Sequence, residues 1–129
     1  MFKNNGGPIS THCLDQELGA PCSGVSAKLF RRKNCDLEDN DIGFNPTDWE
    51  LLSEKVTNKD GRIDFLPNQN YTLKFGAYFI QFSTQKYFKD ANRSTFYPKI
   101  VLEFIVDKEM HYHVPLLISG YGFSTYRGS

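Results

Sequence analysis

Apolar and polar residues alternate one by one through segment after segment of this chain, and glycine, proline and acidic residues stand between the segments. A side-chain period of two puts successive residues on opposite faces of an extended strand, so such segments are stable mainly as strands with one face on a core. In GVSAKLFRRK, residues 24–33, Val25, Ala27 and Leu29 share one face while Ser26, Lys28 and Phe30 share the other. ISTHCLD (9–15) precedes it, separated by QELGAPCS, whose glycine and proline break the chain between two strands. WELLSEKVTNKDGRIDFL (49–66) supplies a strand to about Thr57, followed by a turn at Asp60-Gly61, where glycine reaches positive φ without penalty.

GAYFIQFST (76–84) alternates again, and STQKYFKDAN (83–92) starts a short helix with Ser83 or Thr84 as its N-cap. FYPKIVLEFIV (96–106), HYHVPLLIS (111–119) and GFSTYRGS (122–129) complete the set. The nineteen aromatic residues, set among valines, isoleucines and threonines, suit pleated surfaces more than helices. The expected architecture is all-β: seven or eight strands and one helical turn, spaced as in an antiparallel sandwich. At 129 residues the chain is the size of one domain with one core, long enough to bury roughly two thirds of its unfolded surface. Residues 1–8 read as a flexible lead, 9–129 as the domain, and the acidic stretch 34–48 as a solvated loop between strands.

Lysine plus arginine equals aspartate plus glutamate, fifteen each, so no global field draws the protein to nucleic acid or to an anionic membrane. No apolar run approaches the roughly 18 residues of a spanning helix, and MFKNNGGPIS lacks the apolar stretch of a secretory signal. Cys13, Cys22 and Cys35 form an odd set without a CxxC pair, which favours free thiols in a reducing compartment. The expected location is cytoplasmic. The ending Arg-Gly-Ser is not the peroxisomal Ser-Lys-Leu, and the peroxisome is the alternative.

Few residues are equipped for chemistry. His111 and His113 stand two apart on one strand and therefore point the same way, with Tyr112 pointing the other. As half of a zinc site the pair would need His12 and Cys13, which alternate to opposite faces, so no metal is expected. Pro115 lacks a backbone donor and marks an edge or an irregular position close to His113. Arg62 follows the Asp60-Gly61 turn, and a guanidinium beside neutral imidazoles would hold a planar, oxygen-rich ligand. The chain carries no GxSxG elbow, Walker loop or GxGxxG, which leaves water as the nucleophile of any catalysis. The closing strand is a candidate sheet edge. An exposed apolar edge invites a second copy, and that would turn Tyr126, Arg127 and the carboxylate of Ser129 into part of a pocket wall.

Taken together, ISTHCLD, LGAPCSGVSAKLFR, TNKDGR, QFSTQKYF, FYPKIVLEF, HYHVPLLIS and the closing YGFSTYRGS resemble the 5-hydroxyisourate hydrolases, the transthyretin-related enzymes of urate breakdown. The terminal Y-R-G-S is the specific part, because it separates these enzymes from the transthyretin hormone carriers. The resemblance implies a transthyretin-like antiparallel β-sandwich of two four-stranded sheets with one short helix. It also implies a homotetramer, a dimer of dimers, with active sites in the contact between dimers and no cofactor. Catalytic positions fall on His12, Arg62 and His113, and substrate-binding positions on His12, Arg62, Tyr126, Arg127 and Ser129. His111 is less firmly implied. The substrate would be 5-hydroxyisourate, opened by histidine-assisted attack of water on a ring carbonyl to 2-oxo-4-hydroxy-4-carboxy-5-ureidoimidazoline. Departures from the family pattern are modest: Cys13 for valine, Gly120 for proline, Phe123 for tyrosine and a longer acidic loop. Two rival readings are a transthyretin-like carrier of small ligands without catalysis and a purely structural sandwich. Histidines and an arginine lining the channel speak for the enzyme.

Overall fold

The structure, a computed structural model, describes residues 7–33, 46–66 and 72–128. Expectations for residues 1–6, for Cys35 with most of the acidic loop, and for Ser129 lie outside the described residues. Ten strands, one α-helix and a 3-10 turn at Pro46–Asp48 are described: β1 (Ile9–Asp15), β2 (Ala20–Pro21), β3 (Ser26–Arg32), β4 (Trp49–Val56), β5 (Arg62–Asp64), β6 (Gly76–Ser83), α1 (Thr84–Asp90), β7 (Ile100–Val106), β8 (Tyr112–His113), β9 (Leu116–Ser119) and β10 (Gly122–Thr125).

One sheet has the order β4-β3-β6-β7, and the other has six strands, with β2, β5, β8 and β9 all pairing with β1 and β10 outside β9. The expected four plus four is therefore six plus four. The reason is that both neighbours of β1 are broken. On one flank β5 pairs with Ser10 to His12 and β2 with Leu14 and Asp15; on the other β8 pairs with Ile9 and Ser10, and β9 with Cys13 to Asp15. Pro115, without an N–H, stands at the break between β8 and β9. The sheet is not wholly antiparallel either, because β8 and β9 run parallel to β1 after the chain has crossed to the other sheet and returned.

Period-two readings of β1 and β3 match their burial: Ile9, Cys13, Val25, Ala27 and Leu29 are wholly inside, and their alternate neighbours are not. β6 departs from the pattern. Tyr78, Ile80 and Phe82 enter the core, while Ala77 and Phe79 are buried on the opposite face. There the Phe79 ring stacks on Phe30 at 4.6 Å and meets Trp49 edge-on at 4.7 Å, so an aromatic cluster covers the outside of a central strand. Helix α1 begins after Ser83 as expected, but the serine makes no capping side-chain bond. The Thr84 hydroxyl instead donates to the Tyr97 carbonyl at 2.7 Å, and burial of Phe88 anchors a helix too short to persist alone.

Beside α1 lies a partly buried ion pair. Arg93 meets both oxygens of the Asp15 carboxylate, at 2.7 and 3.1 Å, and the Tyr87 hydroxyl donates to it at 2.8 Å. Among the described residues the outer strands β7 and β10 each have one unpaired edge, and they carry exposed apolar side chains, including Val101, Ile105 and Phe123.

Candidate active site

Strand β1 turns Ile9, Thr11 and Cys13 inward, which leaves Ser10 and His12 on the outer face of the six-stranded sheet. His12 is the register partner of Arg62 on β5, and Ser10 is the register partner of His113 on β8. Directly paired residues share a face, so three adjacent lanes carry Arg62, His12 with Ser10, and His113 side by side. The approach of β5 depends on two residues of the preceding turn. The Asn58 side-chain oxygen accepts the N–H groups of Asp60, at 2.9 Å, and of Arg62, at 3.0 Å. Gly61 has φ +78°, and a Cβ there would run into the Cys13 carbonyl oxygen, so only glycine lets β5 close on β1.

The imidazoles sit in a positive environment. His113 is held below the usual histidine range by burial first, then by Arg62, His111 and His12. His12 is also lowered, by burial and then by Arg62, against an opposing hydrogen bond to the Asp60 backbone and the Asp60 charge. Both are therefore neutral at neutral pH and able to accept a proton.

A serine that sequence reasoning missed joins the group. Ser10 Oγ lies 2.8 Å from His113 Nδ1 and 2.9 Å from His111 Nε2, and the two rings stand 6.3 Å apart and 20° from parallel. Its only signal in the sequence was the spacing of two from His12. Beyond it, His111 Nδ1 reaches the Gly7 carbonyl at 2.7 Å, and the Gly7 N–H lies 2.9 and 2.8 Å from the two Asp64 carboxylate oxygens. The end of the expected flexible lead is thus tied down at Gly7, and at Pro8, whose carbonyl accepts the Tyr112 N–H at 2.7 Å.

The C-terminal tetrapeptide reaches the site in a way its residue types did not suggest. Gly128 donates its N–H to the His113 carbonyl at 2.8 Å, and a Cβ on Gly128 would stand 2.5 Å from His113 Cδ2 and 3.1 Å from Cγ. Glycine there lets the backbone lie flat against the imidazole. Arg127 is held by its neighbours: its guanidinium stacks 4.9 Å over the Tyr112 ring and donates to Met110 Sδ at 3.0 Å. Tyr126 is largely exposed. His113 also borders a cleft of about 550 Å³, whose walls include Tyr126, Arg127 and the β7 residues Val101, Phe104 and Ile105 but not His12 or Arg62. The structure therefore brings His12, Arg62 and His113 together, and it engages Arg127 on the side of Tyr112. Among the described residues no group of three or more His, Cys, Asp or Glu is disposed to hold a metal ion.

The contact at Gly128 carries a prediction. Gly128→Ala forces the His113 ring to move, so turnover should drop by about 10- to 100-fold with little loss of stability. Steady-state kinetics beside a thermal melt would check this, and unchanged turnover would show that the close approach does not set the ring.

Known proteins resemble this chain in sequence and in fold. Residues 9–128 match the model of the HIUase/Transthyretin family. The chain is 41% identical over 122 residues to the 5-hydroxyisourate hydrolase of Salmonella dublin, covering 94% of this chain and 80% of that one. It is similar to the solved 5-hydroxyisourate hydrolase of Klebsiella pneumoniae, with TM-score 0.72 and 33% identity over 94% of this chain and 92% of that one. Sea bream transthyretin in complex with thyroxine shares the fold, with TM-score 0.76, 23% identity and 95% coverage of both chains.

Proposed function

The chain belongs to the HIUase/Transthyretin family and is one of its hydrolases of 5-hydroxyisourate; we propose that His12, Arg62 and His113 carry the reaction. The observation behind this assignment is that three polar groups distant in the chain share one outer sheet face across the lanes of β5, β1 and β8. Ring opening by water needs a base for the water, donors for the developing oxyanion and a grip on a flat heterocycle. His113 and His12, both held neutral, serve jointly in water activation and proton transfer. Arg62 is exposed at the head of β5 and supplies charge-assisted hydrogen bonds to substrate oxygens and to the tetrahedral intermediate. A carrier would have no use for two depressed imidazoles beside a guanidinium.

The rest of the pocket is assigned to a second copy. Among the described residues both sheets end in strands with one edge unpaired and with exposed apolar residues, which supports a dimer of dimers that gives each site a further wall. Tyr126 then belongs to the rim.

The test is to generate fresh 5-hydroxyisourate with urate oxidase and follow its ultraviolet decay with and without the protein, at a known oligomeric mass. Accelerated decay by a tetramer is expected. No acceleration would end the assignment, and full activity from a monomer would end the role of the second copy. Because the imidazoles must be neutral to accept a proton, and both pKa values are lowered, activity should persist below the ordinary histidine pKa of about 6.5 and be lost only as pH falls further. A pH-rate profile whose acid limb has its midpoint above 6.5 would remove both histidines as the base.

A further inference from the structure

The hydrogen bonds behind His113 form a chain whose direction is fixed at one end. A carbonyl oxygen carries no hydrogen, so at the 2.7 Å contact with the Gly7 carbonyl it is His111 Nδ1 that donates. A neutral imidazole has one N–H, which leaves Nε2 of His111 as a lone pair, 2.9 Å from Ser10 Oγ. The serine hydroxyl donates its single hydrogen there. Toward His113, 2.8 Å away, the same oxygen is left only as an acceptor, so the hydrogen of that contact is on His113 Nδ1. With the imidazoles neutral, Nε2 of His113 is bare.

Resting on the assignment of His113 to water activation, we propose that Ser10 and His111 are positioning residues: they form a relay from the Gly7 carbonyl that holds His113 as its Nδ1–H tautomer, so that Nε2 is the atom that takes a proton from water.

Two further features fit a relay. Its anchor is immobilised, because the Gly7 N–H is held between both oxygens of Asp64, and a Cβ at Gly7 would overlap the Leu66 carbonyl, so position 7 admits only glycine. The ring at the far end is clamped as well: Gly128 lies flat against its Cδ2 and Cγ. Which nitrogen of a histidine carries the proton is set by the hydrogen bond that the other nitrogen makes, and an imidazole locked in the wrong tautomer loses its function as a base even in correct geometry.

Side-chain nitrogen NMR of the intact protein at a pH where the histidines are neutral reads the tautomer directly, without substrate. His113 protonated at Nδ1 alone is expected; protonation at Nε2 would overturn the relay. In Ser10→Ala the Nδ1–H loses its acceptor, so a mixture of tautomers should appear. The same variant should lose at least about tenfold in kcat with KM little changed. Ser10→Thr keeps a hydroxyl on the same face and should restore both the tautomer and kcat. A Ser10→Ala protein with an unchanged tautomer and unchanged kcat, or a folded Ser10→Thr protein as impaired as Ser10→Ala, would also overturn the proposal. If the protein failed to hydrolyse 5-hydroxyisourate at all, the NMR result would still decide the relay separately from the reaction.

Discussion

Replacing His113 with alanine is expected to lower kcat on 5-hydroxyisourate by at least about a hundredfold while the protein still folds and assembles. The side chain is only half-buried and lies on the outer face of its sheet, so its removal opens no cavity in the core. What is lost is the proton acceptor next to Arg62 and His12. Arg62 remains to stabilise the oxyanion, which predicts residual turnover above the uncatalysed rate. KM should move much less than kcat, since the imidazole acts mainly in the transition state. Single-turnover kinetics, with a thermal melt and sedimentation on the same sample, would check the claim. Turnover within about tenfold of the parent would remove His113 as the base.

The largest effect on stability is expected from Arg93→Ala, at about 3–5 kcal/mol near neutral pH. Asp15 is almost wholly inaccessible, and its carboxylate is satisfied by Arg93, the Tyr87 hydroxyl and the N–H groups of Glu17 and Leu18. Removing the guanidinium leaves a buried charge with only neutral donors. Burial by itself would raise the Asp15 pKa, but the bonds from Arg93, Tyr87 and Leu18 outweigh it, and the net shift is downward. A carboxylate held down in the folded state adds stability above its unfolded pKa of about 3.9, and that contribution disappears as pH falls through the folded value. The penalty of Arg93→Ala should therefore be full at pH 7 and shrink in strong acid, where Asp15 is protonated with or without its partner. Urea unfolding at the two extremes would measure it. A loss below about 1 kcal/mol at pH 7 would mean that the pair is no stronger than a surface contact.

Much of this site was legible before any fold was known. The common face of His111 and His113 follows from their spacing, the closure at Asp60-Gly61 from a glycine at positive φ, and the shared sidedness of β1 residues from alternation. Gly128 was read only as part of a tetrapeptide. Its purpose, to let backbone touch an imidazole ring, is a matter of what fails to fit, which no spacing reveals. Arg127 was expected in a pocket wall from its place on a closing edge strand; it does line the cleft beside His113, but the cation–π stacking on Tyr112 and the contact with Met110 that hold its guanidinium had no sign in the residue order. Ser10 escaped notice because a serine in a strand carries no mark of its partners, and both of its imidazoles lie over a hundred residues away.

Alternation is local stereochemistry: each residue's Cβ is opposed to the next by the pleat, so the amino-acid order alone determined which side chains share a strand face. Lane order is not local. Whether β1 lies between β5 and β8, and so whether Arg62, His12 and His113 ever meet, depends on how the whole chain buries its apolar faces and closes its backbone hydrogen bonds at once, and only the tertiary structure decided that.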